Sequence, residues 1–136
     1  MIYEDIDKAL NIPLKQFGDD NSIDVDFENI DYPTDNENPF LSGINLPALV
    51  EQGDLAVNEF RNGIYQIDVR IPKSSGKPEA NRWADKLNAV FKTGTTFFRG
   101  DICLQVTSFE VGPMLIEGGW ARLPCSVNWE TFTNRL

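Results

Sequence analysis

At 136 residues, 41% of them hydrophobic and nine of them Phe with three Trp, the chain is sized for one domain, 1–136, whose core needs neither disulfide nor metal. It has no histidine, which removes the commonest general base and metal ligand, and its two cysteines are too few to frame a disulfide scaffold. The net charge of −9 argues against specific nucleic-acid binding. The acidic start and the lack of a long apolar run argue against a signal peptide or a membrane span, so a soluble protein made in the cytoplasm is expected.

Ile2, Ile6, Ala9 and Leu10 recur with helical period, so residues 2–12 read as a helix with Glu4 and Asp5 favourably placed in its first turn. Pro13 should end or kink it, and Gly18-Asp19-Asp20-Asn21 reads as a turn. Residues 22–28 alternate, with Ile23, Val25 and Phe27 on one face and Asp24, Asp26 and Glu28 on the other, the pattern of a half-buried strand. Residues 31–39 have loop chemistry. A strand over 40–50 is weakened by Gly43 and by Pro47, which suggests an edge or a bulge.

Glu51 to Asn62 is polar and reads as an exposed hairpin arm. Residues 64–71 form the clearest strand, with Tyr65, Ile67, Val69 and Ile71 on one face and Gln66, Asp68 and Arg70 on the other. After a loop at 72–76, Pro78 suits a first helical turn. Ala80, Trp83, Ala84, Leu87, Val90 and Phe91 then give the strongest helical period in the chain, with Gly94 placed to end it in the left-handed conformation. Two strands follow, 101–111 and 119–131, joined as a hairpin between Gly112-Pro113 and Gly118-Gly119. A regular hairpin puts Cys103 and Cys125 on opposite faces, so both are expected as free thiols. The expected fold is α+β, in the order α-β-β-β-α-β-β: a mostly antiparallel sheet of about five strands flanked by two main helices.

Charge is unevenly placed. Residues 1–60 hold 14 acids against two lysines, whereas residues 61–136 hold seven acids against ten Lys/Arg. This division is either a solvated acidic surface or a pair of complementary faces that steer one copy against another.

Few constellations point to chemistry. Asp24, Asp26 and Glu28 lack the spaced ligands and turn glycine of a calcium loop, so a solvated or pore-lining face is the better reading. Asp68 and Arg70 are the nearest candidates for a carboxylate nuclease, but arginine stays protonated and structural pairing is favoured. Neither cysteine has a histidine to activate it. Ser74-Ser75-Gly76-Lys77 lacks the spacing of a phosphate loop. Phe97-Phe98-Arg99 reads as core and edge residues entering a strand rather than a stacking platform for bases.

The run Gly63-Ile64-Tyr65-Gln66-Ile67-Asp68-Val69 leads through Pro72-Lys73 into a helix with Ala80-Asn81, Ala84-Asp85 and Leu87, then Phe91-Lys92-Thr93-Gly94-Thr95. With the acidic strand and Asn38-Pro39-Phe40-Leu41 before it, this order resembles bacteriophage tail terminator, or tail completion, proteins. The resemblance implies a non-enzymatic virion protein with an α/β sandwich fold and no catalytic residue, metal or cofactor. It implies a homo-oligomer, a hexameric ring on the head-proximal end of the tail tube, assembled in the host cytoplasm. The ring would stop tube polymerisation and join a head-completion or connector protein, with DNA passing through unbound and no membrane contact. By position, Glu51, Asp54, Glu59 and Arg61 would touch the tube or a neighbouring subunit. Asp24, Asp26 and Glu28 would face the lumen. A head-closure or tail-tube subunit of related fold is the second reading; a small metal-dependent enzyme is the third.

Overall fold

The computed structural model describes residues 2–27, 38–52, 58–72, 76–100 and 102–134. The first helix, α1 (Ile2–Asn21), does not stop at Pro13 and absorbs the expected turn at 18–21. A proline inside a helix costs about 3 kcal/mol. Beyond it, however, Leu14 and Phe17 continue the buried stripe of Ile6 and Leu10. Each such side chain returns roughly 1.5–3 kcal/mol on burial, so packing outweighs the lost backbone hydrogen bond.

The strands are β1 (Asp24–Phe27), β2 (Phe40–Gln52), β3 (Asn58–Pro72), β4 (Thr96–Arg99), β5 (Ile102–Val111), β6 (Leu115–Glu117) and β7 (Trp120–Asn134); α2 (Lys77–Val90) follows β3. They form one sheet in the order β1-β2-β3-β7-β5-β4, with β6 paired to β7 in line with β5. The α+β class and the two helices stand. The sheet differs in detail from the expected five mostly antiparallel strands: it has seven, and it is mixed because β1 runs parallel to β2. The two unanticipated strands, β4 and β6, have four and three residues, too short for alternation to register.

Pro47 falls where the β2–β3 register shifts, as a bulge requires. The segment read as an exposed arm is mostly ladder, since β2 runs on to Gln52 and β3 begins at Asn58. Gly94 has φ +91, but α2 ends four residues earlier, where the Phe91 N–H donates to the Leu87 carbonyl. The Gly94 N–H instead donates to the Val106 carbonyl, tying the turn to β5.

Both helices cover one face of the sheet. Tyr65, Ile67, Val69 and Ile71 of β3 and Leu123, Cys125 and Val127 of β7 join Leu10 and Leu14 of α1 and Ala84 and Leu87 of α2 in a buried cluster. Phe17 and Trp83 stack edge to face at 6.1 Å, joining the helices. The close approach of α1 to the sheet is set at Gly43, where an added Cβ would lie 2.8 Å from Leu14 Cδ2 and 2.6 Å from Tyr65 Oη. A polar chain crosses the same layer. Trp129 Nε1 donates to Asn45 Oδ1 at 3.0 Å, Asn45 Nδ2 donates to Asp7 Oδ1 at 2.9 Å, and Tyr65 Oη donates to Asn11 Oδ1 at 2.5 Å. Buried polar groups need such partners.

Candidate functional site

The face of the sheet away from the helices carries Asp68 and Arg70 of β3 and Arg122 of β7. Asp68 sits at its centre, only 7% exposed. Gln66 Nε2 donates to its Oδ1 at 3.0 Å, while Arg122 Nη1 lies 3.3 Å and Arg70 Nη2 3.7 Å from its Oδ2. A carboxylate clasped between two guanidinium groups is an ion-paired brace between β3 and β7, not a free base. The structural reading of Asp68 and Arg70 therefore stands. Arg122 was missed because it is 54 residues from Asp68, and only strand register brings them together. Among the described residues no group of three or more His, Cys, Asp or Glu could hold a metal ion.

The residues expected to contact other subunits or face a lumen are split between the two ends of the sheet. Asp24 and Asp26 occupy β1 at one edge, beside Phe40 and Ser42 of β2, with Asp24 exposed and Asp26 half-buried. Glu28 and Asp54 lie outside the described residues. Glu51 and Glu59 sit on the paired ends of β2 and β3, opposite Phe60 and Gln52. From Ser42, beside Asp26, to Gln52 is ten residues of strand, about 30 Å, so the two groups form separate surfaces. Arg61 is 8% exposed, held between Val50 of β2 and Thr131 of β7, and so is not part of an exposed arm.

The cysteines face apart and are free, Cys103 exposed and Cys125 buried. The hairpin is not regular, since its register shifts between Val106 and Ser108. The outcome holds because Cys103 lies before that bulge, alternating with buried Ile102 and Leu104. Burial, and then the Asp68 carboxylate, pushes the Cys125 thiol up to about 12, so it stays protonated and inert. Burial, and then Asp7, likewise raises the Tyr65 phenol.

The remaining surface of interest is the opposite edge of the sheet. Among the described residues β4 pairs only with β5, and Phe98 on it is 76% exposed. Phe97 turns inward and stacks on Phe91 at 5.7 Å, as a residue entering the core should. Beneath β4 a groove of about 210 Å³ runs along α1, lined by Lys8, Ile12, Phe97 and Arg99 among others. Sequence reading identified Phe97-Phe98-Arg99 as core and edge residues, but not that they form the last strand of the sheet among the described residues.

The family model for phage tail terminator proteins matches residues 5–129. No curated protein matches the sequence. Seven solved chains match the structure; one superposes with a TM-score of 0.78 at 19% identity, over 95% of this chain and 94% of that one, a likeness of fold.

Proposed function

The chain belongs to the phage tail terminator protein family, and on that footing we propose that it is a single-domain structural protein that caps the head-proximal end of the tail tube as a ring. The ring stops tube polymerisation and offers the joining surface for the head-completion complex. The observation that carries this reading is the family match over 125 consecutive positions, 5–129, nearly the whole folded chain. The structure is compatible with it: among the described residues the sheet ends on two different strands, β1 and β4, and unlike surfaces suit head-to-tail association. In this reading the ring has six copies, with the tube protein on one side and the connector on the other. A net charge of −9 suits a passage through which DNA moves without sticking.

The test is assembly. Light scattering on the purified chain, whose single copy weighs 15.3 kDa, should find a closed oligomer, alone or on added tail tubes. Electron microscopy should show tubes blunted at one end, and the chain should halt elongation of purified tube protein. A chain that stays single at high concentration and leaves tube growth unchanged refutes the proposal.

A further inference from the structure

Among the described residues, five of the seven exposed large hydrophobic side chains fall in two patches. One is a tongue over residues 111–116, where Val111, Leu115 and Ile116 are each at least 40% exposed. The other is the groove between α1 and β4, where Ile12 and Phe98 are exposed. Apolar surface gathered in this way marks an interaction site, whereas scattered single residues do not. We infer that the tongue of one copy inserts into the α1–β4 groove of a second copy; the inference rests on the ring reading above and names its contact.

The tongue is fixed to the sheet. The Gly112 N–H donates to the Pro124 carbonyl at 2.8 Å, Met114 packs against the core, and Leu115 and Ile116 pair with Arg122 and Ala121 of β7. Val111 and Ile116 stand opposite Cys125 and Ala121, four positions apart on β7, so they share one face and form a ridge. An ordered ridge loses little conformational freedom on docking.

The groove is sized for side chains. Its volume of about 210 Å³ falls below the roughly 300–1,000 Å³ of small-molecule pockets. Ile12, Phe97 and Phe98 give it apolar walls, and the charged residues that line it, Lys8 and Arg99, are both positive. Glu4, paired with Lys8 at 2.7 Å, and Asp5, beside Gly100, lie nearby but do not line it. The tongue brings the opposite charge: the exposed Glu110 precedes it, and Glu117 follows it in the chain. Opposite charges at the margin of an apolar contact set its register and reject wrong partners.

One copy cannot fill its own groove. Arg99 stands opposite Ile102, and from Ile102 to Val111 is nine residues of strand, about 30 Å. Tongue and groove are therefore unlike surfaces at separate places. A row of docked copies still ends in one tongue and one groove, so growth stops only when a ring closes.

The test is a mixing experiment. Ile116→Asp spoils the tongue and Ile12→Glu spoils the groove. Both residues are exposed, so the fold should be kept, which circular dichroism checks; Leu115→Asp and Phe98→Asp, at the same two surfaces, replace a variant that loses its fold. Each variant should run as a single copy of 15.3 kDa in light scattering. Mixed in equal amounts at high concentration they should pair and stop at two copies, because one intact tongue meets one intact groove and the two spoiled surfaces are left over. Ile116→Val, which keeps the apolar contact, should form the wild-type ring. Where the ring forms only on tubes, each variant and their mixture should leave tubes uncapped, and Ile116→Val should cap them. A variant that still closes a ring overturns the insertion but leaves the ring reading standing, even where tube capping is lost. Folded single copies that do not pair when mixed, or that rebuild a ring when mixed, overturn the insertion too. A wild-type chain that never associates, even on tubes, removes both readings.

Discussion

Replacing Gly43 by alanine places a Cβ 2.6 Å from Tyr65 Oη and 2.8 Å from Leu14 Cδ2, well inside van der Waals contact. Alanine should gain roughly 0.5–1 kcal/mol over glycine in a strand. Overpacking a closed interior costs about 1–3 kcal/mol, so Gly43→Ala should lose about 1–2 kcal/mol net. Tyr65→Phe removes the donor to Asn11 Oδ1 and should cost about 1–2 kcal/mol alone. In the double variant the nearest clash is gone, leaving Tyr65 Cζ at 3.2 Å and the Leu14 methyl to adjust. Its loss should then be smaller than the sum of the single losses by about 1 kcal/mol, within the range seen for touching residues. Urea unfolding of the four proteins measures this directly, provided the slope m is constant. Strict additivity would mean that the glycine is not there to admit the tyrosine hydroxyl, and the account of how α1 seats on the sheet would fail.

A thiol reagent should label Cys103 alone in the native protein and both cysteines in urea, counted by mass spectrometry; native labelling of Cys125 contradicts its burial. Asp68→Ala should destabilise by about 1–2 kcal/mol, less than a fully buried pair because its partners Arg70 and Arg122 are part-exposed, and a cycle with Arg122→Ala should show positive coupling. Trp129→Phe should cost about 1–2 kcal/mol through loss of the indole donor to Asn45, read from the urea midpoint. Lys8 hydrogen-bonds Glu4 and holds its carboxyl below the usual value. That pairing favours the fold above the ordinary carboxylate range and is lost as pH falls through the lowered value, so Lys8→Ala should raise the Glu4 midpoint in an NMR titration.

The elements legible in the sequence were those with sustained periodicity. The β3 and β7 faces matched residue for residue, and in α2 Ala80, Ala84 and Leu87 are buried with Trp83 and Val90 partly so, because one face of each element meets the core and the other meets water or a partner. The extent of α1 was not legible, since Pro13 argues locally for a stop and the burial of Leu14 and Phe17 is decided by the sheet beneath. The short strands β4 and β6 and the parallel pairing of β1 exist only through neighbours distant in sequence. For the same reason the Asp68 brace appeared as half a pair, and the sheet edge at Phe98 showed as an edge residue without its neighbours. The burial of Arg61 came from strands on both sides of what reads as a polar arm.

β7 follows every other strand along the chain, yet it lies between β3 and β5, pairing with β3 over fifteen positions. Until it arrives the sheet is two pieces, β1-β2-β3 and β5-β4, each with a raw inner border. It therefore acts as a keystone. Closing contacts span about 60 residues between β3 and β7, which predicts slow, all-at-once folding on the millisecond-to-second scale of non-local β topologies. A nascent chain lacking residues 120–134 should be a target for chaperones, and the outer borders acquire a fixed spacing only once this centre is set.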